Sequence, residues 1–171
     1  MTLLQLFIST LFFTYCTSIS AIEQTSNVRH DEVARLGQQV MPFNLGQTLH
    51  IFSKTKTGGL QQVIAKEPAN LTQITLIREH LEKISEEFKQ GNFADPTRIH
   101  GKDMPGLSSL QNAELGAIKI QYRELADGAE ITYTTDNSTL INAIHLWFDA
   151  QLSDHAKHAT MHRSHHMIHN K

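Results

Sequence analysis

Thiols are almost absent from this chain: Cys16 is its only cysteine, and it sits in an uncharged leader. A chain cut after that leader has no thiol at all. Disulfides, cysteine–zinc sites, iron–sulfur clusters and cysteine nucleophiles are then excluded, and any metal site must be built from His, Met, Asp and Glu. An excess of basic charge is also missing. The formal net charge is −2 with histidines neutral, so no basic surface for nucleic acid is expected. The 40% hydrophobic and 19% charged content fits a globular protein rather than a disordered one. At 171 residues, one domain with a moderate core is the natural size.

The leader, residues 1–21 ("MTLLQLFISTLFFTYCTSISA"), carries no charged side chain. Its apolar run over 3–15 has the length of a signal-peptide core and is short for a membrane span. Ser18, Ser20 and Ala21 supply small residues where a signal peptidase would cut. Export to the periplasm or the medium is therefore expected, with membrane contact only through an uncleaved leader. The "FTY" before Cys16 is a poor lipoprotein box, so lipid attachment is not expected.

Residues 22–45 are polar and read as a loose lead-in. Two strands are expected at 48–54 and 60–65, turning at Gly58-Gly59. Asn70 then caps a helix with Gln73 in capping-box position, and Ile74, Ile77, Leu81, Ile84 and Phe88 form its buried stripe up to Gly91. Residues 92–116, rich in Gly and Pro, read as a long loop. Alternation at Ile118, Ile120, Tyr122, Ile131 and Tyr133 around Asp127-Gly128 predicts a second hairpin. Asn137 or Ser138 caps a second helix with the stripe Ile141, Ile144, Phe148 and Leu152. Asn70 and Asn137 also head N-x-S/T sequons, which are read as helix caps. The expected fold is one α+β domain over 46–155 in the order ββαββα, an antiparallel sheet with both helices on one face, followed by a His-rich tail over 156–171.

Five blocks between about residues 28 and 158 carry a wider likeness: "MPFNLGQTLHIFSKTKTGGLQQVIAKEP", "LIREHLEKI", "GNFADPTRIHGKDMPGL", "IQYRELADGAEITYTT" and "AIHLWFDAQLSDHAKHA". In these the chain resembles a family of small bacterial proteins, often with exported leaders and without an established activity. Relatives of this kind are often labelled aspartate carbamoyltransferase. Transcarbamoylases are about twice this length and carry a Ser-Thr-Arg-Thr turn and a His-Pro-x-Gln segment; neither string occurs here. Near the suggestive loop only Arg98 and Lys102 could hold a phosphate dianion. The label does not fit.

Histidine is what the chain has in quantity: 11 in all. His155, His158, His162, His165 and His169 recur at intervals of three or four near the C-terminus, spacing that lets neighbours chelate one ion on a helix. A tract of this kind binds Zn²⁺, Cu²⁺ or Ni²⁺ with low selectivity even without a fixed fold; the alternative is a solvated end. His100 and Met104, with Asp103 between them, offer imidazole and thioether in a turned loop, or else fill a structural loop. His145 lies one helical turn before Asp149, a ligand with an orienting carboxylate or a boundary histidine. His80 flanks the first stripe, so His80, His100 and His145 are expected to converge if both helices share one sheet face.

The leading expectation is a non-catalytic exported protein that takes a divalent transition metal through His80, His100, Met104 and His145, with looser sites in the tail. One rival is an unrecognised hydrolase or transferase centred on the loop 100–106 and His145, although no Gly-x-Ser-x-Gly, phosphate loop or His-Glu-x-x-His occurs. The other is an envelope interaction domain.

Overall fold

A computed structural model describes residues 15–155 and 158–161, with side chains from residue 26 onward. The fold is one α+β domain. Its elements are α1 (Tyr15–Val40), a 3-10 turn (Leu45–Gln47), β1 (Thr48–Thr55), β2 (Gly58–Ala65), α2 (Leu71–Lys89), α3 (Ala94–His100), α4 (Leu107–Gln111), β3 (Lys119–Leu125), β4 (Gly128–Thr134), α5 (Ser138–His155) and β5 (Ala159–Thr160). The first four strands alternate antiparallel, while β5 lies parallel to β1, giving the order β3-β4-β2-β1-β5. The expected ββαββα core is present, but three helices and one strand are added and the sheet is mixed.

Register explains which side chains meet the helices. His50 pairs with Val63, Phe52 with Gln61, Gln61 with Ile131, and Tyr133 with Ile120. Directly opposed residues share a face, so all of these point towards α2 and α5. The helix α2 packs on β4, β3 and β2, and α5 on β2 and β1. Their apolar stripes close the core, with Trp147 at its centre in edge contact with Phe88, Phe93 and Tyr133.

The caps follow the sequence closely. Asn70 accepts from the Gln73 backbone N–H at 3.2 Å, and Asn137 does the same for Thr139 at 2.9 Å. The reciprocal half of the capping box is diverted, since the Gln73 side chain accepts from the Asn44 N–H at 2.7 Å and ties the 3-10 turn to α2. Both hairpins turn earlier than expected, the first by two residues at Lys56-Thr57 and the second by one at Ala126-Asp127, so Gly58, Gly59 and Gly128 open the return strands. Gly59 is needed for packing: a Cβ there would run into the Phe148 ring.

Two expected irregular segments are helical. The lead-in 22–45 is the C-terminal part of α1 and the turn that follows it. Val33, Leu36, Gly37 and Val40 fall at i, i+3, i+4 and i+7 and are covered by α3 and α5. A single four-residue stripe among polar neighbours gave too weak a period to be read. The segment 92–116 holds α3 and α4, of seven and five residues. These are too short for a periodic window, yet Pro96, Ile99, Leu107 and Leu110 reach the interior. Between them Gly106 has φ 79°, and a Cβ would drive into the carbonyl oxygen of Ala143 on α5. Gly106→Ala is expected to cost about 3 kcal/mol, from the left-handed backbone and the overlap together, as a lower urea midpoint at unchanged slope.

Candidate functional site

Four imidazoles from four separate elements meet inside this framework. His50 occupies an inward position of β1, His80 the third turn of α2, His100 the last residue of α3, and His155 the last residue of α5. All four are buried, at 3, 8, 6 and 7% exposure, and all line one cavity of about 40 Å³ between the sheet and the helices. Phe43 lies against the rings of both His50 and His80, at 5.8 and 5.6 Å between centroids. His155 stacks on His50 at 4.9 Å and 5°, and meets His100 edge-on at 5.0 Å and 79°.

Buried polar atoms ordinarily find partners. Here three on the cavity wall have none: His50 Nδ1, Trp147 Nε1 and Gln151 Oε1. The His50 ring is hydrogen-bonded to the backbone of His158 in a way that favours its protonated form, so a carbonyl accepts from the ring. With Nδ1 unpartnered, the donor is Nε2–H, and Nδ1 carries the lone pair.

Burial keeps His50, His80 and His155 neutral. Burial, then the neighbouring His80, His158 and His100, pushes His50 down to about 3. Burial lowers His80 to about 4, partly countered by Asp95. Burial, with His50 and His100 alongside, holds His155 well below its ordinary value. The Nδ1 of His100 donates to Asp154 Oδ2 at 2.7 Å. Burial alone would raise the Asp154 carboxyl, but the hydrogen bonds from His100 and Arg29 hold it down at about 2.

The expected convergence is thus half present. His80 and His100 share the cavity, and His155 joins them. His145 does not: its Nε2 lies 3.0 Å from Thr55 O and 2.9 Å from Gly58 O, clamping the β1–β2 turn. Ten residues along α5 separate it from His155, ~15 Å of helix. Its expected carboxylate, Asp149, pairs with Lys54 instead. The loop 100–106 and His145 therefore do not form one centre. Met104 fills the apolar core and does not line the cavity. His158 is half-buried just before β5, while His162, His165 and His169 lie outside the described residues. His145→Ala is expected to cost about 1 kcal/mol of stability, read by urea unfolding.

His50 is the residue that sequence reasoning missed. Both faces of β1 carry large apolar or aromatic side chains, Ile51 on one and Phe52 on the other. Period-2 alternation therefore could not say which way a histidine between them points.

Among the described residues, no group of three His, Cys, Asp or Glu is set as a metal-holding cluster. The stacking explains this locally, because parallel rings send their in-plane lone pairs in parallel directions. Comparison with protein-family models, curated proteins and solved structures finds no match to the chain.

Proposed function

We propose that this is an exported, non-catalytic protein that binds a divalent transition-metal ion in the cavity through His50, His100 and His155. One observation carries the reading: four imidazoles from four elements meet, desolvated, at one small cavity whose wall also holds unpartnered polar atoms. Folding alone gives no reason for this, since apolar side chains of similar volume would fill the space at lower cost. A borderline cation supplies one. Zn²⁺, Cu²⁺ and Ni²⁺ all accept neutral imidazole nitrogen, and rings whose proton affinity is already low by burial need lose no proton to ligate.

The supporting chemistry is that of a histidine site with an outer carboxylate. Asp154 receives the Nδ1–H of His100, which fixes the ring and leaves Nε2 as the electron-pair donor. His50 offers Nδ1. His155, stacked between them, must turn about Cβ–Cγ for its lone pair to meet theirs, and that torsion is soft in histidine. His80 adds a fourth imidazole to the cavity wall. The space suffices for an ion with a water in the remaining position. Histidines of the C-terminal tail would add looser sites, and the uncharged leader supports export.

Calorimetry with Zn²⁺, Cu²⁺ and Ni²⁺ tests this on the full chain with His162, His165, His166 and His169 replaced by Ala. One ion per chain should be taken up, and the combined His100→Ala and His155→Ala changes should abolish that uptake. No uptake, or uptake indifferent to those two changes, overturns the reading.

A further inference from the structure

The outer support of His100 does not end at Asp154. Arg29, on α1 and 71 residues earlier in the chain, sets Nε and Nη2 against the two carboxylate oxygens of Asp154, at 3.1 and 2.5 Å. The same Nη2 reaches the backbone carbonyl of His100 at 2.9 Å. Three helices are joined through one guanidinium: α1 supplies the fork, α5 the carboxylate and α3 the imidazole. The neighbouring His30 Nε2, 3.1 Å from Ser153 O, adds a second tie between α1 and α5.

We infer that Arg29 is a positioning residue for the candidate metal centre, fixing the tautomer of His100 through Asp154; in its bearing on metal this rests on the reading above. A carboxylate by itself can turn about its last torsion and present either oxygen at many angles. A bidentate guanidinium removes that freedom, since both oxygens are committed to one plane. Oδ2 is then held 2.7 Å from His100 Nδ1, where an acceptor selects the Nδ1–H tautomer. The electron pair is left on Nε2. Without the fork, Asp154 can swing away, and His100 can adopt the tautomer that places hydrogen on the nitrogen needed for ligation.

The arrangement differs from an ordinary surface ion pair in what it controls. The Arg29 side chain is 42% exposed, so its attraction to Asp154 adds little to stability. Its leverage comes from geometry at the third member, which is 1% exposed and lines the cavity. It also makes α1 part of the site: the donor atom on α3 is set only when α1 is docked against α3 and α5.

The test uses the full chain with the four tail histidines at 162, 165, 166 and 169 replaced by Ala. Long-range ¹H–¹⁵N spectra, recorded without metal, report the tautomer of His100. A parallel Zn²⁺ titration reports affinity. The parent should show His100 as Nδ1–H. Arg29→Gln should bring in the other tautomer and weaken Zn²⁺ binding by about 10–100-fold. Arg29→Lys keeps the charge without the fork and should fall between the two in both measurements. A role confined to stapling helices would lower thermal stability yet leave the tautomer alone. If neither variant changes the His100 spectrum, the inference is overturned, whatever the affinity does. If the spectrum shifts but the parent takes up no Zn²⁺, the tautomer relay stands and the metal reading falls.

Discussion

Acidification from pH 7 to pH 4.5 is expected to remove most of this protein's stability. His50, His80 and His155 all have folded-state proton affinities below that of free imidazole, with His50 at about 3 and His80 at about 4. In the unfolded chain each titrates near pH ~6.5. Between about pH 6.5 and pH 4 the unfolded state therefore binds protons that the folded state refuses, and stability falls as pH falls. Each such histidine contributes a slope approaching ~1.4 kcal/mol per pH unit, so three give about 4. By pH 4.5 His50 and His80 together account for a loss of roughly 5 kcal/mol, and His155 adds to it in the same direction, which is comparable with the whole stability of a typical domain.

Asp154 does not mask this. Its carboxyl is held down at about 2, so its contribution is complete above the ordinary carboxylate value and is lost only as pH falls towards 2. Urea unfolding followed by the fluorescence of Trp147, the only tryptophan and a fully buried one, reads the effect directly. Equal stability at pH 7 and pH 5 would contradict it.

The second large effect is a divergence between stability and binding. His50→Leu should raise stability at pH 7 by about 1 kcal/mol while weakening metal uptake at least ~100-fold. His50 carries an unpartnered Nδ1 in a fully enclosed place, and an apolar residue of similar volume escapes that cost. Losing the ring bond to the His158 backbone offsets part of the gain, because that segment is half-buried and water can take over. The pH slope should also drop by a third, as one of three refusing imidazoles is gone. A group retained for packing behaves oppositely, since its removal destabilises and leaves ligand binding intact. Gains in stability at the expense of binding mark a site held in an unfavourable state for use. A variant that is less stable and still binds metal would remove His50 from the site.

How far the sequence reached depends on the kind of signal each part emits. The helix α2 was legible because five apolar residues and an Asn cap agree on one stripe. The second hairpin was legible from clean alternation, and only its turn moved, because the glycines serve close packing of the return strands rather than the bend itself. The helix α1 was not, since its polar composition outweighs one short stripe, and that stripe has meaning only once α3 and α5 exist to cover it.

The membership of the histidine cluster was legible only in part. The meeting of His80 with His100 was expected from the face of α2 and from the segment after it, read as a loop and found to hold α3. His145 could not be excluded, because its partners are two backbone carbonyls that no side-chain pattern announces. Nor could Arg29 be linked to Asp154, 125 positions away.

Zinc K-edge X-ray absorption on the chain with His162, His165, His166 and His169 replaced by Ala is the most direct measurement of whether the cavity takes the ion. Three imidazole nitrogens at about 2.0 Å, falling to two in His155→Ala, are the expected first shell. A shell of oxygen alone, or protein that retains no zinc after gel filtration, would show that the buried imidazoles are not ligands.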